Sequence, residues 1–439
     1  MKKQKLHIIS FDGLAGSDMA FLKTQKNFAR LLDGAAYSFE VEGVYPTITY
    51  PSHTSITTGN YPSKHGIVNN TLLQPQRKKP DWFWFARDIK TKTFQQLASE
   101  NNFSILSLLW PVTARAKIKY NLPEIFANRP YLNQIMVSMY AGSKLFQIKL
   151  IKKFGSILKG FKEPELDDFT MESWLYSFDN YKTDITMVHL IDLDSQRHDY
   201  GFSSKEAKAA LLRHDKRLGQ ILNKIETSGE AESTSLIVLG DHSSMDAHSI
   251  IFLNKVLKDA NFLSGYDESI SEYKLVAKSG GGSSYIYTNA KNPLYKTQSE
   301  KEKLFTEVQN LIKSAIPEKA IEAFYTSEEA ERLGADSNCF MMLEANEGFL
   351  FEDGIAPEPL MSIEALSKTN LSYHTNNHGY SPFTKKNYET VFIAKGKNIK
   401  QNVNIGKMSL VDEGPTFAAL LGLSLGKTDG RVLTEVLDF

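Results

Sequence analysis

The chain has 439 residues, its 51 Lys and Arg balance 51 Asp and Glu to a formal net charge of zero, and 41% of it is hydrophobic. That length exceeds the roughly 100–200 residues of one ordinary domain, so either two domains or one large core with insertions is expected. The composition excludes a disordered chain and a dedicated nucleic-acid binder, and the single cysteine, Cys339, excludes a disulfide scaffold, an iron–sulfur cluster and a cysteine-rich zinc site.

The N-terminal sequence turns apolar only from Leu6 to Phe11, is interrupted by His7 and stops at Asp12. A secretory leader needs about 7–15 apolar residues and a small-residue cleavage site, so this stretch is read as a first β-strand. No run approaches the ~18 apolar residues of a membrane span, and a cytoplasmic chain is expected. A helix is expected over Asp18–Asp33, and another over Thr93–Glu100 ahead of a strand at Ile105–Leu109. Residues 116–180, rich in Tyr, Phe and Lys, fit this rhythm poorly and read as a cap insertion. The lysines from Lys144 to Lys162 within it could face a membrane or an anionic partner, but charge runs are usually a solvated helix face, and that reading is preferred. A strand follows at Asp184–Ile191, then a helix at Lys205–Ser228 and a strand at Ser235–Leu239. Residues 250–370 mix element types and read as a second insertion carrying part of the substrate pocket. Within it a helix is expected at Ser299–Ala315, and Gly280-Gly281-Gly282 before Tyr285–Thr288 reads as a tight turn into a strand. A last strand is expected at Thr390–Ala394. Strands alternating with helices predict an α/β fold, a mostly parallel central sheet covered on both faces.

The chemistry sits after the strands. Asp12 follows the first, Asp192, Asp194 and His198 follow the run DITMVHLI, and Asp241 and His242 follow SLIVLG. Ligands of an open α/β sheet bind at the carboxyl ends of its strands, so three strands deliver carboxylates and imidazoles to one edge. Further on, Asn377-His378-Gly379-Tyr380 offers another histidine. Carboxylate and imidazole without thiolate suit zinc or manganese. Six such residues exceed one tetrahedral ion and suit two ions about 3.5–4 Å apart, an arrangement that catalyses in-line displacement at phosphorus. Any one of these aspartates alone reads equally well as a helix cap. For a nucleophile, Tyr45–Gly59 reads as a loop entering a helix near Pro51, where a hydroxyl meets a partial positive charge. Thr47, Thr49, Ser52 and Thr54 all qualify on that ground.

Asp12-Gly13 after a strand, Pro46-Thr-Ile-Thr-Tyr-Pro-Ser-His53, Thr58-Gly-Asn-Tyr-Pro-Ser-Lys-His-Gly-Ile-Val-Asn-Asn70, Asp194-Ser-Gln-Arg-His198, Gly240-Asp-His242 and His378-Gly-Tyr380 occur in one order. This series resembles the alkaline phosphatase superfamily, and within it the nucleotide pyrophosphatase/phosphodiesterase (type I phosphodiesterase) branch. The resemblance implies a single alkaline phosphatase-like catalytic domain over residues 1–439 and two zinc sites. Asp194, His198 and His378 would form one, and Asp12, Asp241 and His242 the other, with Thr49 as nucleophile and ligand beside it. Asn70 matches the asparagine that hydrogen-bonds a phosphate oxygen. The implied activity is hydrolysis of phosphodiester or pyrophosphate bonds through a covalent phospho-threonine. The expected partners are small-molecule phosphodiesters, nucleotides or phosphonates. The alternatives are a phosphonoacetate hydrolase, a phosphomonoesterase with Arg197 as the first guanidinium to consider, or a metal-stabilised binding protein without turnover.

Departures from the branch's pattern are Ser52 where many relatives have Asn, Gln196-Arg197 in place of a Ser-Gly pair, and Ser243 where glycine is usual. Tyr50 fills the usual Phe place, and Trp82, Trp84 and Trp110 offer either a stacking wall or ordinary core. His374 rivals His378 and Asp192 rivals Asp194; His7 and His189 read as core, and His53 and His65 as residues shaping the nucleophile loop. Cys339 lacks the Cys-x-Pro-x-Arg pattern of sulfatases.

Overall fold

A computed structural model describes residues 4–266, 269–371 and 373–439. All five expected apolar runs form neighbouring strands of one sheet. Its strands are β1 (Lys5–Phe11), β2 (Ala36–Glu42), β3 (Ile105–Leu108), β4 (Tyr120–Leu122), β5 (Ile185–Leu190), β6 (Thr234–Leu239), β7 (Thr390–Gly396), β8 (Val403–Asn404) and β9 (Lys407–Ser409). They lie in the order β8-β2-β7-β6-β1-β5-β3-β4, with β9 also beside β2. Only β7 runs antiparallel to its neighbours, β6 and β2. β2 escaped the sequence reading because its buried Ala36, Ser38 and Val41 alternate with open positions and spell no apolar run.

Eight helices frame the site and the surface beside it: α1 (Thr49–Thr58), α2 (Gln134–Ala141), α3 (Lys144–Phe154), α4 (Glu165–Asn180), α5 (Asp192–Tyr200), α6 (Lys205–Thr227), α7 (Gln298–Ala315) and α8 (Glu413–Leu420). Successive side chains of β1 point to opposite faces of the sheet, so two cores form. Ile9 and Phe11 pack with Phe169 and Trp174 of α4 and Leu218 and Ile221 of α6. Leu6 and Ile8 pack on the other side with Ile56 of α1 and Phe417 of α8. Both faces of the central strands are therefore dry, which is why they are mostly apolar.

The helix expected over Asp18–Asp33 is two, Met19–Leu22 and Lys26–Leu32. Asp215 of α6 accepts the backbone N–H groups of Asn27 and Phe28 and so starts the second helix from outside. Residues 116–180 contribute β4, α4 and the inner face of α3 to the sandwich, with Phe146 and Leu150 of α3 in its core, whereas Ala141 of α2 joins a separate cluster with Tyr50 and Trp84. Residues 250–370 build most of two small sheets. One joins Leu275–Ser279, Ser283–Thr288, Met341–Ala345 and Ile321–Thr326 under α7. The other centres on Met245–Ile251, which pairs with Gly348–Phe351, Leu360–Ser362 and the short strand Asn376–Asn377. Among the described residues, no helix is long and apolar enough to cross a membrane.

Candidate active site

The registers of the central strands bring the site together. Phe11 lies beside Leu190, and Ser10 beside Leu239, so β1, β5 and β6 end level with one another. Asp12 thus emerges next to Asp241 and His242, and α5 begins at the same edge with Asp194 and His198 one turn apart on one face. His378 comes from 136 residues beyond His242 in sequence and is delivered by pairing: Asn377 lies opposite Met245 and Asn376 opposite Asp246.

His378 is held from both sides by backbone. Gly379 N–H donates to the Thr47 carbonyl at 2.9 Å, and Gly282 N–H to the His378 carbonyl at 2.8 Å. The expected tight turn at Gly280–Gly282 is present and packs on this loop. Gly379 has φ +89°, and a Cβ there would stand 1.6 Å from the Gly280 carbonyl oxygen. Gly379→Ala is expected to cost about 2 kcal/mol or more and to displace His378. A thermal melt, together with the metal content of the purified variant, checks it.

Two groups of three ligand atoms result, each with its atoms within 4.8 Å of one another: Asp194, His198 and His378, and Asp12, Asp241 and His242. His242 Nε2 lies 3.3 Å from Asp12 Oδ1 and 3.2 Å from Asp241 Oδ2. His198 Nε2 lies 3.1 Å from Asp194 Oδ2, and the rings of His242 and His378 are 4.0 Å apart. Asp12 Oδ1, Asp194 Oδ1, Asp241 Oδ2 and His378 Nδ1 are buried without a hydrogen-bond partner. Buried polar atoms are rarely left so, and a cluster of them with this donor set fits divalent zinc or manganese. The electrostatics agree. Burial first, and the Asp12 charge next, push the Asp241 carboxyl well above the usual range. Burial opposes ionisation of Asp194, yet His198, His378 and His242 outweigh it and hold that carboxyl below the usual range. Burial also lowers His242 and, strongly, His378. Adjacent buried carboxylates that resist ionising together are relieved by a bound cation.

In a third acidic group, Glu163, Asp167 and Asp192, both aspartates are already paired with Arg217. Asp192 is bound by Arg213 through both oxygens, at 2.6 and 2.7 Å, and by Arg217 at 2.8 Å. It therefore faces away from the site, unlike Asp194. His374 lies tilted against His198, with ring centroids 4.6 Å apart, but stands outside both ligand groups.

Of the four candidate hydroxyls, Thr49 meets the cluster: its Oγ1 is 3.2 Å from His242 Nε2. Thr47 donates to the Tyr380 carbonyl and Thr54 to the Tyr50 carbonyl, and Ser52 Oγ is buried without a partner. Thr49 opens α1, whose ten residues are all buried, so the helix's positive end is little screened by water. Asn70 Oδ1 accepts the Tyr50 N–H at 2.9 Å, which fixes the amide beside Thr49 and leaves its NH2 as a donor.

Two residues of the site, His189 and Glu124, escaped the sequence reading, which places His53 in the nucleophile loop. His189 is buried, as expected for core, but its Nε2 lies 3.1 Å from Asp12 Oδ2 and its Nδ1 3.4 Å from Glu124. His53 ties the Thr49 carbonyl to Ser10 Oγ, both at 2.9 Å. Glu124 also accepts from the Tyr50 hydroxyl at 3.2 Å. Only the position of His189 at the carboxyl end of β5 hinted at its contact with Asp12. The tryptophans divide. Trp84 and Trp110 are core, whereas Trp82 packs edge-on to Tyr50 and lines an apolar cavity of about 340 Å³ with Glu124, Phe126 and Phe161. Arg197 is buried away from the site, donating to the Gly13 carbonyl and to Asp18 at 2.6 Å and stacking on Phe202.

The chain resembles known proteins in sequence and in fold. Over 244 residues the chain is 26% identical to human ectonucleotide pyrophosphatase/phosphodiesterase family member 1, covering 53% of this chain and 22% of the human protein. It is also 26% identical over 248 residues to the bovine bis(5'-adenosyl)-triphosphatase, covering 54% of this chain and 47% of that one. The fold superimposes on murine ectonucleotide pyrophosphatase/phosphodiesterase 5 with a TM-score of 0.67 at 19% identity, over 99% of this chain and 100% of that chain. The family description type I phosphodiesterase / nucleotide pyrophosphatase matches residues 6–381, and the chain belongs to that family.

Proposed function

We propose that the chain hydrolyses phosphodiester or pyrophosphate bonds of small organic phosphates, with Thr49 as the nucleophile. The observation that carries this reading is the contact of Thr49 Oγ1 with His242 of one ligand triad, beside which the second triad stands, at the carboxyl edge of the sheet. The family membership supports it, as does a threonine-to-alanine variant of murine ectonucleotide pyrophosphatase/phosphodiesterase 5, described as inactive and solved with AMP.

Asp12, Asp241 and His242 would hold one divalent ion, with Thr49 beside it, and Asp194, His198 and His378 a second; zinc is our choice, and manganese satisfies the same donors. When bound, the ions supply positive charge that acidifies the Thr49 hydroxyl and offsets the charge of the phosphate. Thr49 Oγ1 attacks phosphorus in line, the Asn70 amide donates to a non-bridging oxygen, and the positive end of α1 favours the charge gathering there. The P–O bond to the leaving alcohol or phosphate breaks as the Thr49–phosphorus bond forms. Water then attacks the same phosphorus and Thr49 leaves with a proton. His189, held by Glu124, orients Asp12, and His53 anchors the first turn of α1. The Trp82 cavity accepts the organic group retained on phosphorus. A cytoplasmic location is part of this proposal, in keeping with the single, buried cysteine.

Monoesterases need a cation over the additional phosphate oxygens, and Arg197 is committed to Gly13 and Asp18. The zinc-loaded protein is therefore expected to prefer bis-p-nitrophenyl phosphate to p-nitrophenyl phosphate in kcat/KM. A monoester preference would overturn the diesterase reading. No turnover of either, with phosphonoacetate cleaved, would move the chain to phosphonate hydrolysis; no turnover of any would leave a binding protein.

A further inference from the structure

Nine of the fifteen large apolar side chains exposed among the described residues fall between Tyr131 and Phe161, a stretch holding α2 and α3. The sequence Gln134–Ala141 of α2 is QIMVSMYA, yet Ala141 is its only buried residue. Ile135 is 60% exposed, Met136 72%, and Leu145 at the start of α3 78%. Soluble surfaces seldom gather so much bare apolar area in one place without a partner. The charge of the segment is as uneven. From Ile125 to Lys162 there is no Asp or Glu, against seven Lys and Arg. Among the described residues only two of these seven have a carboxylate partner, Arg129 with Asp81 and Lys159 with Glu165. On α3, Leu145 and Ile148 alternate with Lys144, Lys149 and Lys152 on the open side, while Phe146 and Leu150 face the core. The solvated helix face read from the lysines alone would have polar residues between them, and here the residues between them are apolar.

We propose that α2 and α3 form a docking surface for an anionic lipid bilayer. Bare aliphatic and aromatic side chains interleaved with lysines on short helices match the interfacial region of such a bilayer: the apolar tips enter the acyl boundary and the ammonium groups meet phosphates. A second copy of this chain fits worse, because an isologous contact would set seven cations against seven. The surface adjoins the cavity beside the nucleophile. Val137 of α2 packs on the cluster holding Tyr50 and Trp82, and Phe161, 57% exposed, also lines the cavity wall. Docking would turn that cavity toward the bilayer. The docking itself stands apart from the hydrolase reading and is tested without turnover.

The test is flotation of the full chain with phosphatidylcholine vesicles, with and without phosphatidylglycerol. The protein is expected to float with the phosphatidylglycerol vesicles, less as salt rises, and to stay below with phosphatidylcholine alone. Lys144→Ala with Lys152→Ala should weaken partitioning about thirtyfold, at roughly fivefold per lysine. Ile135→Glu with Met136→Glu should abolish it, whereas Leu212→Glu, exposed on α6 outside the segment, should not. Melting temperature and hydrolysis of a soluble diester should be unchanged in all three variants. Failure of the wild-type chain to float, or equal flotation of the Ile135/Met136 variant, would overturn the proposal. So would a wild-type dimer in sedimentation that this variant dissociates, which would assign the face to a second copy.

Discussion

Thr49→Ala is expected to lower kcat/KM for a p-nitrophenyl diester by about 10⁴-fold or more while leaving the fold and the metal ligands intact. The side chain is small, opens α1 and makes its one hydrogen bond to His242, so its loss costs little packing. What disappears is, of the four candidate hydroxyls, the one that meets the ligand cluster: Thr47 and Thr54 donate to backbone carbonyls, and Ser52 makes no hydrogen bond to it. Thr49→Ser keeps an oxygen at the same place and should retain measurable turnover, with a radiolabelled substrate trapping phosphate on residue 49. Full activity of Thr49→Ala would remove the covalent mechanism at a stroke.

Exhaustive chelation should be as damaging. Without a cation, Asp12, Asp241 and Asp194 share a buried space with His242 and His378, which burial lowers, and with His198, which Asp194 raises against burial; Asp241 is the group that burial and its neighbour push toward protonation. Activity is expected to vanish on dialysis against a strong chelator and to return with zinc. Because the ions bind the folded chain alone, saturating zinc about a thousandfold above its Kd should add about 4 kcal/mol of stability per site, read as a rise in melting temperature. His378→Ala removes a ligand from one triad only. Plasma emission spectrometry should then find the ratio falling from about two ions per chain to about one. A metal-free wild-type protein that turns over at full rate would refute the two-ion reading.

Much of this was open to reading along the chain. Strands that must be dry on both faces betray themselves as apolar runs, which is why β1, β3, β5, β6 and β7 were found and the alternating β2 was not. Asp12, Asp194, His198, Asp241 and His242 were legible for a related reason: each sits within eight residues of a strand end, and strand ends are where an α/β sheet places its ligands. His378 and the role of Thr49 were not derivable from spacing. They came from resemblance to a family, and their geometry comes from long-range pairing. The strand at Asn376–Asn377 meets Met245–Asp246, and the Gly280–Gly282 turn closes on Gly379.

What the linear order of residues could not contain was direction. Asp192 and Asp194 are two residues apart, and Arg213 and Arg217 on α6 decide that the first is structural. Arg197 stands next to His198 in sequence but is drawn inward by Asp18 and Phe202. The lysines of α3 look like an ordinary solvated face until the packing shows which apolar side chains stand bare among them. Periodicity and strand-end chemistry are local and survive in one dimension. Which way a side chain points depends on partners far away in the chain, and burial makes that choice by leaving a charge only where another meets it.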